Sequence, residues 1–382
     1  MTYITVMQSP RYQQLTFDDL LNDAFDMSGY VNHMITNTRT YAAERINEKK
    51  LERFDFESMI TSLRDFNTHY ATLFEMDRPS LYDSFKIPKQ SGGLRPIDAP
   101  KPPLMEALRQ LKFIMETKFM ALYHTSAYAY IRGRCTIDAL KKHQQRKSRW
   151  FVKLDFSNFF GSTTLEFVMS QLSMIFPFSE VMESDEGKTQ LTRAISLCFL
   201  NGGLPQGTPI SPLLTNLIMI PIDHQISNTL RDYNKQQYVY TRYADDVMIS
   251  CKYDFKYQDI YRFVVETVKA FNAPYMLNPQ KTRYGSNAGS NWNLGLMLNK
   301  DNEITIGHRK KKQFKAMIHN FTRDVTRNIK WDKSDVQAMN GLICYYKMVE
   351  KEYIEHILTS YSKQFSVNIR KAIKDCLKNV SA

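Results

Sequence analysis

One stretch, Tyr238–Cys251 (YVYTRYADDVMISC), constrains the fold of this chain more than any other. Two runs of β-branched and aromatic residues flank Tyr243-Ala244-Asp245-Asp246, a pattern that predicts paired strands joined by an acidic turn. Adjacent aspartates on an apolar hairpin repel each other and resist desolvation. They persist when water, a partner or a cation compensates them. Taken alone, a solvated Asp-Asp turn satisfies that condition as well as a metal site does.

Further anomalies lie upstream. In Trp150–Thr163 (WFVKLDFSNFFGST), a nearly continuous apolar strand ends on Asp155. A carboxylate entering an apolar run marks a site or caps the turn that follows. Gly202–Met219 (GGLPQGTPISPLLTNLIM) is a Gly- and Pro-punctuated loop running into an apolar helix that begins near Pro212. Gln206 and Gly207 sit where backbone and amide donors can approach an anion or nucleotide. In Tyr82–Pro100 (YDSFKIPKQSGGLRPIDAP), two extended runs, Phe85–Ile87 and Leu94–Ile97, surround a glycine tip with Lys89 and Arg95 on either side. Those cations either close on a phosphate or decorate a solvated hairpin.

The remaining segments read as scaffold. Residues 1–80 predict a helical N-terminal extension, and Leu104, Leu108, Leu111, Met115, Phe119 and Leu122 predict an amphipathic helix with a basic outer face. Ser126–His143 interleaves aromatics with Arg132 and Arg134, as a path for single-stranded nucleic acid would. Residues 165–200 read as helical, broken at Pro177 and by an acidic loop, Glu183–Gly187. A helix over Asp259–Asn272 precedes Leu277–Tyr284, which offers Lys281, and Asn293–Asn299 (NLGLMLN) reads as a short strand.

Charge narrows the class of partner. The 382 residues carry 51 Lys and Arg against 39 Asp and Glu, a net +12. From Thr305 onward there are 16 basic and 7 acidic residues, so +9 lies in the last fifth. Such asymmetry favours a polyanion, although a charged helix face is commonly just solvated. The basic cluster opens with Arg309, Lys310, Lys311 and Lys312. Five scattered cysteines with no C-x-x-C pair argue against a zinc ribbon or disulfide framework and for a reducing cytoplasm. No apolar run reaches membrane-spanning length and no signal-peptide pattern opens the chain, so no membrane association is expected.

The order of these motifs resembles that of the reverse transcriptases over roughly residues 82–300, with a thumb region beyond. Tyr243–Asp246 is similar to that family's polymerase box, Leu154–Phe160 (LDFSNFF) to the block carrying its first catalytic aspartate, and Leu204–Pro212 (LPQGTPISP) to its fourth block. The resemblance implies an α+β right-hand polymerase fold. Residues 1–80 would be an extension, 81–300 the fingers and an antiparallel palm, and 301–382 a basic helical thumb.

It also implies an RNA-directed DNA polymerase. Nucleotidyl transfer uses two divalent cations about 4 Å apart, and hard Mg²⁺ (with Mn²⁺ a substitute) prefers carboxylate oxygens. Asp155 and Asp245 would be the shared ligands, with the Phe156 carbonyl beside them and Asp246 completing the acidic group. Lys89 and Arg95 would clamp the triphosphate, Gln206 would pack by the sugar and template, and Phe160 would block a ribose 2′-hydroxyl. Tyr243, Lys281, Gly295 and Arg309–Lys312 would contact primer and template.

The expected partners are dNTPs, the DNA product and an RNA template, a structured non-coding RNA for a bacterial retron or anti-phage defence enzyme. A homo-oligomer or effector protein is left open. A catalytically silent RNA-binding scaffold and a group II intron-derived enzyme are the competing readings. Two retron blocks depart from pattern: Asp138–His143 carries Asp for Asn and one extra residue, and Leu294-Gly295-Leu296 stands in place of Val-Thr-Gly.

Overall fold

The computed structural model describes residues 54–88, 92–232, 238–288 and 295–378. Most of the expected N-terminal extension, residues 1–53, lies outside the described residues, as do Lys89, Asn293 and Leu294. The chain divides into two compact units. One runs up to Cys135 and resumes over Trp150–Tyr284; the other takes Thr136–Arg149 and everything from Gly285.

In the first unit, the helix Phe56–His69 is capped by Asp55, whose carboxylate accepts from the Ser58 amide, and it buries Met59, Leu63 and Phe66. Strands β1 (Tyr82–Pro88) and β2 (Leu94–Pro100) form an antiparallel hairpin in register from Tyr82↔Pro100 to Pro88↔Leu94. Both strands are longer than their apolar runs predict, because backbone pairing continues through residues that stay exposed. Pro102 and Pro103 then start the helix Pro102–Thr117, where their missing amides are not needed. Leu104, Leu108, Leu111 and Met115 are fully buried there, while Arg109 faces solvent; the helix ends before Phe119 and Leu122, which the spacing includes, and Phe119 is buried in the chain that follows.

The central sheet is built from β3 (Trp150–Ser157), β4 (Val239–Tyr243), β5 (Asp246–Cys251) and β6 (Met276–Leu277), in the order β4-β5-β3-β6. A fifth strand, β7 (Arg283–Ser286), also pairs with β3. β3 lies antiparallel to β5 with Asp155 opposite Asp246, and Tyr243 of β4 faces Asp246 from the other side. Val247–Cys251 is buried at every position, so both faces of β5 are covered. That explains a strand without polar alternation. Val152, Leu154, Val247 and Ile249 join Leu214, Ile222, Ile226 and Val264 from the surrounding helices in one core.

One expected loop is a helix. Asp185 and Glu186, in the acidic segment Glu183–Gly187, form the first turn of Asp185–Ser196, and the Ser184 hydroxyl caps it by accepting from the Gly187 amide at 3.0 Å. Acidic residues favour the positive end of a helix, and here Glu186 also pairs with Arg64.

The second unit joins the helix Thr136–Gln145 to strands β8 (Met297–Leu298) and β9 (Ile304–Thr305) and to helices His308–Thr326, Lys333–Val349, Lys351–Phe365 and Ile369–Lys378. Gln144 and Asn302 exchange side chain-to-carbonyl hydrogen bonds at 2.8 and 2.9 Å. Phe314, Ile318 and Phe321 are buried as their spacing predicts. His143 is fully buried, which pushes its pKa down to about 3. Among the described residues no helix is long and apolar enough to cross a membrane.

A buried ion pair fixes the strand leading into the acidic turn. The Arg242 guanidinium donates to both carboxylate oxygens of Asp223 at 2.8–3.1 Å, and neither side chain has any exposure. The Tyr240 hydroxyl donates to the same carboxylate at 2.6 Å, and Arg242 reaches the Ala244 carbonyl at 3.2 Å. Replacing Asp223 by Ala strands a buried guanidinium. Urea denaturation should show a loss of about 3–5 kcal/mol, the usual cost of breaking such a pair from one side.

Candidate active site

The three aspartates meet because of strand register. Asp155 stands on β3 directly opposite Asp246 on β5, while Ala244 and Asp245 form the two-residue connection between β4 and β5. Ala244 has φ of +57°, a left-handed conformation that an L residue adopts at some cost. Its carbonyl is the one held by Arg242. The Asp245 carbonyl accepts from the Phe156 amide at 3.0 Å, and the Asp155 carbonyl accepts from Asn278 at 2.8 Å. Backbone bonds thus fasten the turn to β3 and β3 to the segment carrying Lys281.

The side chains divide unequally. Asp155 is 6% exposed, and Lys281 donates to its two oxygens at 2.8 and 3.0 Å. Asp246 pairs with Lys153 at 2.8 Å. Burial, then the neighbouring charges of Asp246 and Asp155, raise the pKa of Asp245, against an opposing pull from Lys281. The Lys281 ammonium is itself pushed up, chiefly by its hydrogen bond to Asp155.

Oxygen-only donors under mutual repulsion suit a hard divalent cation in their chemistry. In the structure the cations on Asp155 and Asp246 are lysines. Among the described residues no three Asp, Glu, His or Cys side chains are already gathered as a metal cage.

Two further elements frame this centre. Phe160 lies just past β3, half-buried, with its ring edge-on to Phe159 at 5.7 Å between centroids. Its carbonyl accepts from the Leu204 amide at 3.0 Å, and Gly203 sits so close that an added Cβ would be 2.2 Å from the Gly161 carbonyl oxygen. The other end of the same loop reaches β2, where the Gln206 carbonyl accepts from the Asp98 amide at 2.8 Å. Gly207, at φ +119°, leaves no room for a Cβ against the Asp98 carbonyl. The Leu204–Gly207 loop therefore ties the Phe160 turn to the β1–β2 hairpin. It then enters the helix Ser211–Ile218, whose start is served by Thr208: its hydroxyl accepts from the Ser211 amide at 3.2 Å.

Of the other expected residues, Arg95 is exposed on β2 and Tyr243 is half-buried on β4. Phe156 is buried, its ring stacked on Phe159 with 6.0 Å between centroids. In the second unit, the Gly295 carbonyl accepts from Lys310 at 2.7 Å, and Lys311 pairs with Glu350 and lies over the Tyr353 ring. Arg309 and Lys312 are the exposed members of that cluster. Sequence reasoning missed Lys153 and the Asp223–Arg242 pair. Lys153 had a legible signal, since it shares the face of Asp155 two residues away on a strand.

The raised pKa of Asp245 has a direct consequence for stability. A carboxyl group with a higher pKa folded than unfolded contributes a penalty that is fully present above its folded pKa and is relieved as pH falls through it. Asp245→Asn should raise the melting temperature of the metal-free protein at pH 7, by roughly 2–4 °C for each kcal/mol of repulsion relieved. Added Mg²⁺ should stabilise the wild type more than the variant, read by thermal melts with and without the ion.

Comparison with known proteins identifies the family. Residues 87–334 match the family described as reverse transcriptase (RNA-dependent DNA polymerase). The chain is 27% identical over 324 residues to the retron Ec83 reverse transcriptase of Escherichia coli, covering 81% of this chain and 96% of that protein. It is 25% identical to the retron Ec73 reverse transcriptase of the same organism, covering 76% and 90%. Among solved structures, Candida albicans telomerase in complex with a fragment of telomeric RNA overlays with a TM-score of 0.42 at 12% identity, covering 78% of this chain and 59% of that one. The family match spans well over half of the sequence, and the chain belongs to the reverse transcriptases, with their right-hand polymerase fold.

Proposed function

We propose that this RNA-directed DNA polymerase is a retron-type enzyme that copies part of a structured non-coding RNA into DNA at the Asp155–Asp245–Asp246 centre. The observation that carries the placement of the centre is the register. Asp155 opposes Asp246 across β3 and β5, with Asp245 in the adjoining turn and the Phe160 turn tied to the Leu204–Gly207 loop beside it. The retron assignment rests on relatives matched over nearly their whole length.

Asp155 and Asp245, with Asp246 and the Phe156 carbonyl, would hold the divalent metal, Mg²⁺ with Mn²⁺ as a substitute. Two bound ions would supply an activated primer 3′-hydroxyl and charge neutralisation at the leaving pyrophosphate. The chain's own contribution is positioning. Arg95, with Lys89, offers the triphosphate a guanidinium and an ammonium. Gln206 lies on a loop held at both ends, and the Phe160 ring presents bulk where a ribose 2′-hydroxyl would otherwise fit. Arg309 and Lys312 are free to meet template phosphates, whereas Lys310 and Lys311 brace their own unit. Residues 81–300 and 301–382 serve as fingers with palm and as thumb, preceded by the 1–80 extension.

Purified protein given Mg²⁺, dNTPs and a primed RNA should extend the primer. An Asp245→Ala, Asp246→Ala double variant should fall to background, and extension by that variant would sink the assignment. In the same assay, Phe160→Ala should lose discrimination against ribonucleotides by on the order of 10- to 100-fold. Sequencing the nucleic acid that co-purifies should return one defined RNA and DNA complementary to part of it; a heterogeneous RNA population without DNA would count against the retron role.

A further inference from the structure

Tyr130 belongs to the loop between Phe119 and the helix at Thr136, and none of the roles above uses it. It is 60% exposed, unusually open for a large aromatic side chain. Even so, desolvation raises the pKa of its phenol, with Asp245 and Tyr243 adding to the rise and Arg95 opposing it. Its electrostatic neighbours, Asp245, Tyr243 and Arg95, place the ring beside the acidic turn. Its ring meets Phe160 edge-on, with 6.4 Å between centroids and an interplanar angle of 69°.

The backbone beneath Tyr130 is held in an unfavourable shape. Tyr130 has φ of +60°, a conformation that is an outlier for a bulky residue and persists only where the surroundings impose it. Those surroundings are explicit. The Ala129 carbonyl accepts from Asn216 at 2.8 Å, and the Tyr128 amide donates to the Arg242 carbonyl at 2.9 Å. The Arg242 amide returns a bond to the Ser126 carbonyl at 2.7 Å, and Arg134 donates to the His124 and Ala127 carbonyls at 2.7 and 2.6 Å. The loop is thus laid as an extra strand-like segment along β4, fixed to the same Arg242 that holds the acidic turn.

We propose that Tyr130 is a specificity-determining positioning residue: its ring supports Phe160 from the solvent side and fixes the angle at which Phe160 meets the sugar of the incoming nucleotide. This rests on the reading of Phe160 as the ring that senses the 2′-hydroxyl. Phe160 is tethered through its backbone and its ring packs against the core, with Phe159 edge-on on one side and Tyr130 edge-on on another. Removing the Tyr130 edge gives Phe160 room to rotate away from a ribose. The interaction is between rings, so the phenolic hydroxyl is dispensable for it.

The test is single-nucleotide incorporation on primed RNA by the full-length chain, comparing kcat/KM for a dNTP and its matching rNTP. Tyr130→Leu should reduce the preference for the dNTP by about threefold to tenfold, the range an edge-to-face ring pair supports. Tyr130→Phe should keep the wild-type ratio. The Tyr130→Leu, Phe160→Ala double variant should be no more permissive than Phe160→Ala alone, because Tyr130 acts through Phe160. Tyr130→Met serves in place of Leu if that variant is recovered unfolded by circular dichroism.

Several results would overturn the inference: an unchanged ratio in the Leu or Met variant, equal losses for both nucleotides, additive effects in the double variant, or a Phe variant behaving like Leu. An unchanged ratio in Phe160→Ala would instead remove the sugar-sensing reading itself, and Tyr130's role with it. The two failures are therefore separable.

Discussion

The Arg242–Asp223 ion pair is the interaction on which the active centre depends. Both groups lie fully inside the protein, and Asp223 accepts from the Tyr240 hydroxyl as well as the guanidinium. Such a pair adds little net stability over a well-packed apolar alternative, because desolvating two ions offsets most of their attraction. What it adds is direction. The guanidinium plane is rigid and its donors diverge at fixed angles. One edge binds Asp223 on the helix Ile220–Asp232, and the other reaches Asn216 and the Ala244 carbonyl. An apolar pair could fill the volume but could not hold Ala244 in its left-handed turn. Position, more than energy, is what the ion pair provides.

The Leu204–Gly207 loop does for the Phe160 turn what Arg242 does for the acidic turn. Its amide at Leu204 binds the Phe160 carbonyl and its carbonyl at Gln206 binds the Asp98 amide. Two glycines make those approaches sterically feasible, since a Cβ at Gly203 or Gly207 would collide with backbone. Phe160 and β2 are far apart along the chain, yet one short loop sets the distance between them. The loop's turn residues therefore serve close packing as much as any direct approach to substrate.

This division explains what could be read from the sequence. The hairpin around Asp245, the strand ending in Asp155 and the helix after Pro212 were legible because each is specified within about a dozen residues by apolar runs and turn chemistry. Arg242 was not. A charged residue within a strand suggests an exposed edge, and its partner is 19 residues away on a helix with no local signature. Glu183–Gly187 misled for the opposite reason: acidic and glycine residues suggest a loop, yet behind Ser184 they suit a helix's first turn. The longer β1–β2 pairing was invisible because it is carried by backbone bonds through residues without a buried face. Tyr130 shows the same limit. Its sequence neighbours suggest nucleic-acid contact, but its strained backbone and its approach to Phe160 come from Asn216 and Arg242, remote in sequence.

The three aspartates are not electrostatically equivalent, and the difference ranks them. Lys281 sits on Asp155 and Lys153 on Asp246. Among the described residues neither lysine, nor any other cation, forms an ion pair with Asp245. Burial and two neighbouring carboxylates disfavour its charged form, which is why its pKa rises. Asp155 is held by Lys281 through two hydrogen bonds, whereas Asp245 feels the same ammonium only at longer range. Lys153 leans on Asp246 from the same strand face as Asp155, so the pull on Asp246 is built into β3. The turn's two adjacent acids have different work: Asp245 supplies the unsatisfied charge, and Asp246, paired across the sheet with Asp155, supplies the register that brings the third carboxylate alongside.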